Sequence, residues 1–342
     1  MSAQVRSELA TGAGETVSVV IPLYNHAAFL RAAVESVLRQ SRPPEEIIVI
    51  DDGSTDRSPQ IAESLARAHP SIRFWSRENR GAHATINEGV RASTGSLVAI
   101  LNSDDLFHRE RIARALAAFE IEPAAAAFAS GLSFIDGRGA SIGNAWFDEA
   151  LAFHRKTGDL GVSLVNANFV MTTSNLVVRR GLFDALGGFA DFRYAHDLDF
   201  LLRAVAAKKR ILIAPRPLVS YRMHGNNTIS ESHRKVKAEW ALAAALYAWR
   251  LGRADASASP PAVARKDAAA QARPGAGAQL RPDAAAHESG ARQKLQPIFE
   301  RHGLSRLVAL ALSRLQDARA EGDADALLAD AAFRAQLVEA VS

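Results

Sequence analysis

No cysteine occurs among the 342 residues. That excludes disulfide scaffolds, thiol nucleophiles and cysteine-ligated zinc or iron–sulfur centres, and it suits a reducing cytoplasm. Long hydrophobic runs are also missing: no apolar stretch approaches the ~20 residues that a membrane-spanning helix requires. The first 16 residues carry no compact apolar segment of the secretion-signal kind. Charge of one sign is not in excess either. Lys and Arg total 41 against 37 Asp and Glu, a formal net charge of +4, without a clustered basic run. A nucleic-acid partner is therefore not expected. What is present, 48% hydrophobic and 23% charged side chains, is enough to bury the core of one large domain or two ordinary ones.

Residues 1–16 are small, polar and aperiodic, and read as a tail without fixed structure, with order beginning at Val17. VSVVIP (17–22) and EIIVIDD (46–52) are β-branched apolar runs of the length of strands buried on both faces. Between them Phe29, Leu30, Ala33, Val34, Val37 and Leu38 keep helical spacing. Ser54, Thr55 or Asp56 can cap a helix through Ala66; IRFWSR (72–77), 81–92 and LVAILN (97–102) continue as strand, helix and strand. This alternation predicts an α/β fold with a mostly parallel, Rossmann-like sheet flanked by helices. A helix over 111–120, strand-like segments near 124–136 and 172–179, a helix over 196–207, a strand at 211–215 and a helix over 233–251 follow. Residues 252–290 have the Ala/Pro/Gly-rich composition of a linker. The remainder, 291–342, regains helical patterning through Leu295, Ile298, Phe299, Leu307, Leu310, Leu315, Leu327, Leu328 and Leu337. No internal repeat is evident.

Three carboxylate clusters fall where predicted strands end or helices begin: Asp51-Asp52, Asp104-Asp105, and Asp197 with Asp199. A single acid at a strand end commonly caps the next helix. Two pairs at the carboxyl ends of two strands of one parallel sheet converge on one crevice. Like charges held together there are costly unless a cation or hydrogen-bond donors compensate. A hard divalent cation with oxygen ligands resolves the conflict, and such cations accompany phosphates. The residues themselves thus point to a metal–phosphate site of the nucleotide kind.

The segment VSVVIPLYNHAAFLRAAVESVLRQSRPPEEIIVIDDGSTD (17–56) closely resembles the opening of family 2 glycosyltransferases, inverting enzymes of the GT-A fold. The resemblance continues through ENRGAHATINEGV (78–90), LVAILNSDDLF (97–107), TTSNLVVRRGLFDALGGF (172–189), YAHDLDFLLRA (194–204) and YRMHGNNTIS (221–230). It implies a GT-A domain over 17–251, a nucleotide-diphospho-sugar donor, Mg²⁺ or Mn²⁺, and a saccharide or lipid-linked saccharide acceptor. By the same resemblance, Pro22 and Tyr24 lie beside the base, Tyr24 as a stacking face. Asp52 accepts from the base with Asp51 in support, or else one of the two caps the next helix. Asn102-Ser103-Asp104 stands where the family's DxD stands. Asp104 matches the carboxylate that reaches the metal on the diphosphate, and Asp105 is a candidate behind it. Asn102 replaces an acid and is left to bond the ribose or a metal-bound water. Ile86 precedes Asn87 where many relatives carry Arg, so no phosphate-binding Arg is assigned there.

His196-Asp197 stands where the family has Glu-Asp, so Asp197 matches the general base; Asp199 is either a rival base or a brace for the following helix. His224 matches a position that closes over the diphosphate or the metal, and Arg222 is a further phosphate candidate. Thr172, Thr173 and Ser174 align with a segment bordering the acceptor pocket, or form an ordinary internal strand. The Trp240/Tyr247 stripe, with Arg234, Lys235 and Lys237, either docks on a membrane or packs on its own domain. The C-terminal helices either dimerise, bind a partner or pack on the catalytic domain. The expected setting is bacterial surface polysaccharide or glycolipid assembly in the cytoplasm, with peripheral contact at the inner face of the plasma membrane and a homodimer both open. Competing readings are a sugar-nucleotide nucleotidyltransferase, whose Gly-rich basic loop is absent from LYNHAAF (23–29), a phospho-accepting receiver domain, and a catalytically inactive nucleotide-sugar binder.

Overall fold

The computed structural model describes residues 14–225, 227–258, 293–321 and 326–341. The expected tail lies, up to residue 13, outside the described residues; just ahead of Val17, Thr16 and Ser96 exchange hydrogen bonds, and the Thr16 carbonyl accepts from Leu97 N–H. Four strands, β1 (Val17–Leu23), β2 (Glu46–Asp52), β3 (Ile72–Arg77) and β4 (Leu97–Ile100), lie parallel in the order β3-β2-β1-β4. The helices α1 (Leu30–Leu38), α2 (Ser58–Ala68) and α3 (Ala82–Ala92) form the crossovers between them. The helix expected from Ser54, Thr55 or Asp56 starts at Ser58, after Arg57. Asp56 still serves its entry, its carboxylate accepting from Ser58 and Ala27 N–H.

Beyond β4 the parallel, helix-flanked sheet takes in antiparallel partners. β8 (Val177–Arg179) pairs antiparallel to both β4 and β6 (Ala125–Asp136), while β9 (Arg210–Met223) runs parallel to β6. The short β5 (Leu106–Phe107) and β7 (Ser141–Ile142) close the edges. Helices also separate the strands after residue 121, but β8 lies between β4 and β6 and is antiparallel to both. Helix α4 (Arg111–Ile121) precedes β6. Helices α5 (Ala145–Thr157) and α6 (Leu160–Asn166), unforeseen in sequence, sit between β7 and β8. Helices α7 (Arg180–Leu186) and α8 (His196–Ala206) lead into β9.

Side chains alternate across the sheet into two cores. Val20, Ile48, Ile50, Val98, Ile100 and Val178 enter one, covered by α3, α6, α8 and α9 (His233–Ala258). Val19, Ile21, Ile47, Val49, Leu97, Ala99 and Val177 enter the other, under α1, α2 and α4. Strands buried on both faces carry continuous apolar runs for this reason. Helix α9 reaches Ala258, so the first part of the expected linker is helix; residues 259–292 lie outside the described ones. The C-terminal helices, α10 (293–301), α11 (Ser305–Glu321), α12 (Ala326–Ala329) and α13 (Ala331–Glu339), pack on the α9 side of the sheet. Leu295, Phe299, Leu307, Ala311, Leu315, Phe333 and Leu337 join the α9 side of the core. Tyr247 is buried and the Trp240 indole donates to the Val165 carbonyl at 2.9 Å, so the aromatic stripe is internal and not a membrane face.

Candidate active site

The loop after β4 brings Asp104 against two histidines. Asp104 Oδ2 lies 3.0 Å from His224 Nε2 and 4.0 Å from His26 Nε2. One ligand atom from each of the three residues falls within 4.8 Å of the others. Two imidazoles and a carboxylate, drawn from the β1–α1 loop, the β4–β5 loop and the end of β9, are a donor set that fits a divalent cation. Burial pushes the His26 imidazole below its usual range; Asp104 pulls it up and His224 pushes it down again. A neutral ring is what ligation needs.

Asp105 is buried and ties the loop down. It accepts from Ser174 Oγ at 2.6 Å and from Arg222 N–H at 2.8 Å. Burial, then the neighbouring Asp104, raise its carboxyl well above the ordinary range. Arg222 is not a free phosphate cation: its Nε donates to the Asp104 carbonyl at 2.7 Å and its Nη1 to the Asp136 carbonyl at 3.0 Å. Its guanidinium covers Phe29, whose ring also packs 4.9 Å from that of His224. Asn102 is likewise engaged within the fold. Its amide donates to Thr172 Oγ1 at 3.0 Å and its carbonyl accepts from Thr173 Oγ1 at 2.9 Å. The departure from an acid at 102 is therefore matched by a hydroxyl pair at 172–173, which anchors this loop in place of lining an open pocket.

Asp197 begins α8, where the helix N-terminus favours negative charge. Its Oδ2 accepts from Asn168 Nδ2 at 3.0 Å. The Tyr221 hydroxyl is pushed up by burial and then by the charges of Asp105, Asp104 and Asp197, so the three carboxylates act on one phenol. The rival Asp199 is fully buried and paired with Arg203 at 2.7 Å and Arg250 at 3.4 Å; it braces α8 and faces no open space.

Two residues missed in sequence position Asp197. Glu239, from α9, accepts the backbone N–H groups of Arg193, Tyr194 and Ala195, the residues entering α8. Asn87 clasps Phe189 through both backbone groups, each at 2.8 Å, and so fixes the Gly187-Gly188 turn. Gly188 has φ +84°, and a Cβ there would meet Asn87 Oδ1 at 2.7 Å. An Asn in one motif and a Gly-Gly in another are two halves of a single clasp, which no local pattern reveals.

On the β2 side the roles of the acid pair separate. Asp52 Oδ1 accepts from Arg77 at 2.5 Å and from Arg80 N–H at 2.8 Å, and Oδ2 accepts from Gly81 N–H at 2.9 Å. It is engaged in holding the entry to α3. Asp51 takes long 3.3 Å contacts from Ser54 N–H and keeps acceptor capacity at the strand end. Pro22 is buried within β1, whereas Tyr24 is 46% exposed. The loop carrying Tyr24 docks on the 54–58 turn through Asn25, His26 and Ala27. A cleft of about 700 Å³ lined by Leu186, Gly187, Gly188, Arg203 and Arg250 shares with these residues the Gly187-Gly188 turn and the brace around Asp199.

A parallel half-sheet ending in paired acids, continued by an antiparallel half that brings an imidazole and a helix-borne aspartate to the same edge, defines a GT-A nucleotide-sugar-type architecture. Residues 18–187, about half of the chain, match the family model described as Glycosyl transferase family 2, and the chain belongs to that family. It is 29% identical over 217 residues to an uncharacterized glycosyltransferase of Nostoc sp., covering 62% of this chain and 66% of that one. The chain spans between 16% and 66% of the length of three curated relatives that it matches. In fold it is similar to the S. aureus TarS 1–349 structure in complex with UDP-GlcNAc, with a TM-score of 0.53, 18% identity, and coverage of 70% of this chain and 71% of that one. It is also similar to the mannosyltransferase PcManGT of Pyrobaculum calidifontis in complex with GDP-Man and Mn²⁺, with a TM-score of 0.50, 18% identity, and coverage of 96% and 86%. No helix among the described residues is long and apolar enough to cross a membrane.

Proposed function

We propose that this protein is a metal-dependent inverting glycosyltransferase, moving a hexosyl unit from a nucleotide-diphospho-sugar to a hydroxyl of a saccharide or lipid-linked saccharide in bacterial surface polysaccharide or glycolipid assembly. The observation that carries this reading is the meeting of Asp104 and His224, 120 residues apart in the chain, at 3.0 Å, while the charges of Asp105, Asp104 and Asp197 all bear on the Tyr221 phenol. The solved neighbours with UDP-GlcNAc and with GDP-Man and Mn²⁺ support the donor class and the cation.

Tyr24 offers an exposed ring for the base and Asp51 an acceptor beside it. Asp104 and His224 would hold Mg²⁺ or Mn²⁺. Such a cation, when bound, offsets the negative charge that grows on a departing diphosphate. Asp197 takes the proton of the acceptor hydroxyl as its oxygen bonds to the anomeric carbon from the face opposite the diphosphate. The bond from the anomeric carbon to the phosphate oxygen breaks, and the nucleoside diphosphate leaves with the electron pair. Asn168 donates to Asp197 and so orients its carboxylate.

The test is donor-dependent release of nucleoside diphosphate from a panel of nucleotide sugars, with and without Mn²⁺ or Mg²⁺, after a thermal-shift screen has found the donor. The anomeric configuration of the product, read by NMR, decides inversion. Binding without release would mark an inactive binder; pyrophosphate release from a nucleoside triphosphate and a sugar phosphate would mark a nucleotidyltransferase.

A further inference from the structure

We propose that His26 is a third protein ligand of the cation, standing in for the carboxylate absent at position 102, and that the resulting two-imidazole, one-carboxylate site selects Mn²⁺ over Mg²⁺. The proposal rests on the metal site of the preceding reading and adds a ligand and a preference to it.

Three observations converge on it. First, the side chain of Asn102 is turned into the fold, bonded to Thr172 and Thr173. The oxygen ligand that an acid would present from this position is therefore missing. Second, His26 Nε2 faces Asp104 Oδ2 at 4.0 Å, and its ring meets that of His224 edge-on at 5.8 Å between centroids. Ligands in adjacent positions about one ion at ~2.1 Å stand about 3 Å apart. The Asp104–His224 edge already has that length, and the other two need only side-chain adjustment. Third, the ring of His26 is oriented from behind: Nδ1 lies 2.8 Å from Ser103 Oγ, itself buried. With Nδ1–H donating to that hydroxyl, the Nε2 lone pair points at the site. Ligating histidines are commonly fixed in this way by a partner on the other nitrogen. The middle residue of the Asn102-Ser103-Asp104 triplet thus has a task in this chain.

The donor chemistry sets the preference. Mg²⁺ seeks oxygen ligands and retains its waters, whereas imidazole nitrogen suits Mn²⁺ and later transition ions increasingly well along the divalent series. Exchanging an oxygen ligand for a second nitrogen moves the site away from Mg²⁺.

The test uses the full chain freed of metal by chelation, with Mn²⁺ alone as the probe. Electron spin-echo envelope modulation should report two imidazole nitrogens coupled to bound Mn²⁺ in the wild type and one in His26→Ala. Mn²⁺ affinity, from the EPR signal of the free ion, should fall about tenfold or more in His26→Ala and by a lesser factor in Ser103→Ala. An excess of Mg²⁺ on the order of a hundredfold should be needed to displace half the Mn²⁺ from the wild type, and much less from His26→Asp. Should His26→Ala fold poorly by melting temperature without metal, the wild-type nitrogen count and the Mg²⁺ competition decide alone. One coupled nitrogen in the wild type, unchanged Mn²⁺ affinity in folded His26→Ala, or displacement by equimolar Mg²⁺ would overturn the proposal. Two coupled nitrogens without release of nucleoside diphosphate from any donor would sink sugar transfer and leave this ligand set standing. Mn²⁺-dependent release with one coupled nitrogen would do the reverse.

Discussion

Replacing Asp197 by Asn separates chemistry from structure at this site. The native carboxylate receives Asn168 Nδ2 at 3.0 Å on Oδ2 and Leu198 N–H at 2.7 Å on Oδ1. An asparagine keeps one oxygen for the Leu198 N–H and turns an NH₂ toward Asn168. That mismatch is relieved if the Asn168 amide rotates, at the expense of the long 3.3 Å bond it accepts from Met171 N–H. The structural cost is thus one hydrogen bond, about 1 kcal/mol, a few degrees of melting temperature at most in a chain of this size. Loss of a positioned base lowers turnover by about 10²- to 10⁴-fold, or roughly 3–5 kcal/mol of barrier. Steady-state release of nucleoside diphosphate in the presence of acceptor, beside donor affinity by calorimetry and thermal melting, should show kcat collapsing while donor Kd and Tm hold. Turnover within about threefold of wild type would remove Asp197 from the role of base, and a kcat loss tracked by an equal collapse of Tm would make it structural.

Glu239→Gln leaves one oxygen for three backbone donors and Arg334; kcat should fall several-fold with donor KM nearly unchanged, and wild-type kcat would show that the α8 entry needs no such clamp. Glu46 is pushed up by burial, but hydrogen bonds from Thr94, Ser18 and Arg73 outweigh this and hold its carboxyl below the usual range. With the folded value below the unfolded one, its stabilisation is present above the ordinary 4.5 and vanishes as pH falls through the folded value. Melting curves should accordingly place Glu46→Gln below wild type by about 1–2 kcal/mol at pH 7, the gap closing as pH falls below the ordinary range and through the folded value. Arg111 is wholly buried and pushed down to about 9 by burial; its Nε and Nη2 find no partner among the described residues, while its guanidinium rests on Phe107. Arg111→Met should be neutral or stabilising by about 1–3 kcal/mol in thermal melting; a Tm lower by several degrees would mean that the stacking outweighs the desolvation.

Much of the first half was legible in sequence because its signals are local. Val17–Leu23 and Glu46–Asp52 are apolar runs buried on both faces, and runs of that kind specify themselves without knowledge of neighbours. The acids at the ends of β2 and β4 could likewise be placed at one edge from the βαβ rule alone. The second half resisted. Helices α5 and α6 were not foreseen, and the antiparallel insertion of β8 between β4 and β6 has no local signature. The split between Asp51 and Asp52 was out of reach too, since neighbouring residues of one strand differ only in what lies across from each face.

The order of strands and helices through Val90, the carboxylate positions and the apolar seams belong to the sequence by itself, being set by spacings of two to four residues. Only the tertiary structure decided which oxygens remain available. Asn102 turns inward to Thr172 and Thr173, 70 residues or more away, and His26 comes to Asp104 across 78. Such pairings depend on how the two halves of the sheet fold against each other, because a hydrogen bond or a ligand shell is fixed by proximity in space, which a chain acquires once its cores have closed.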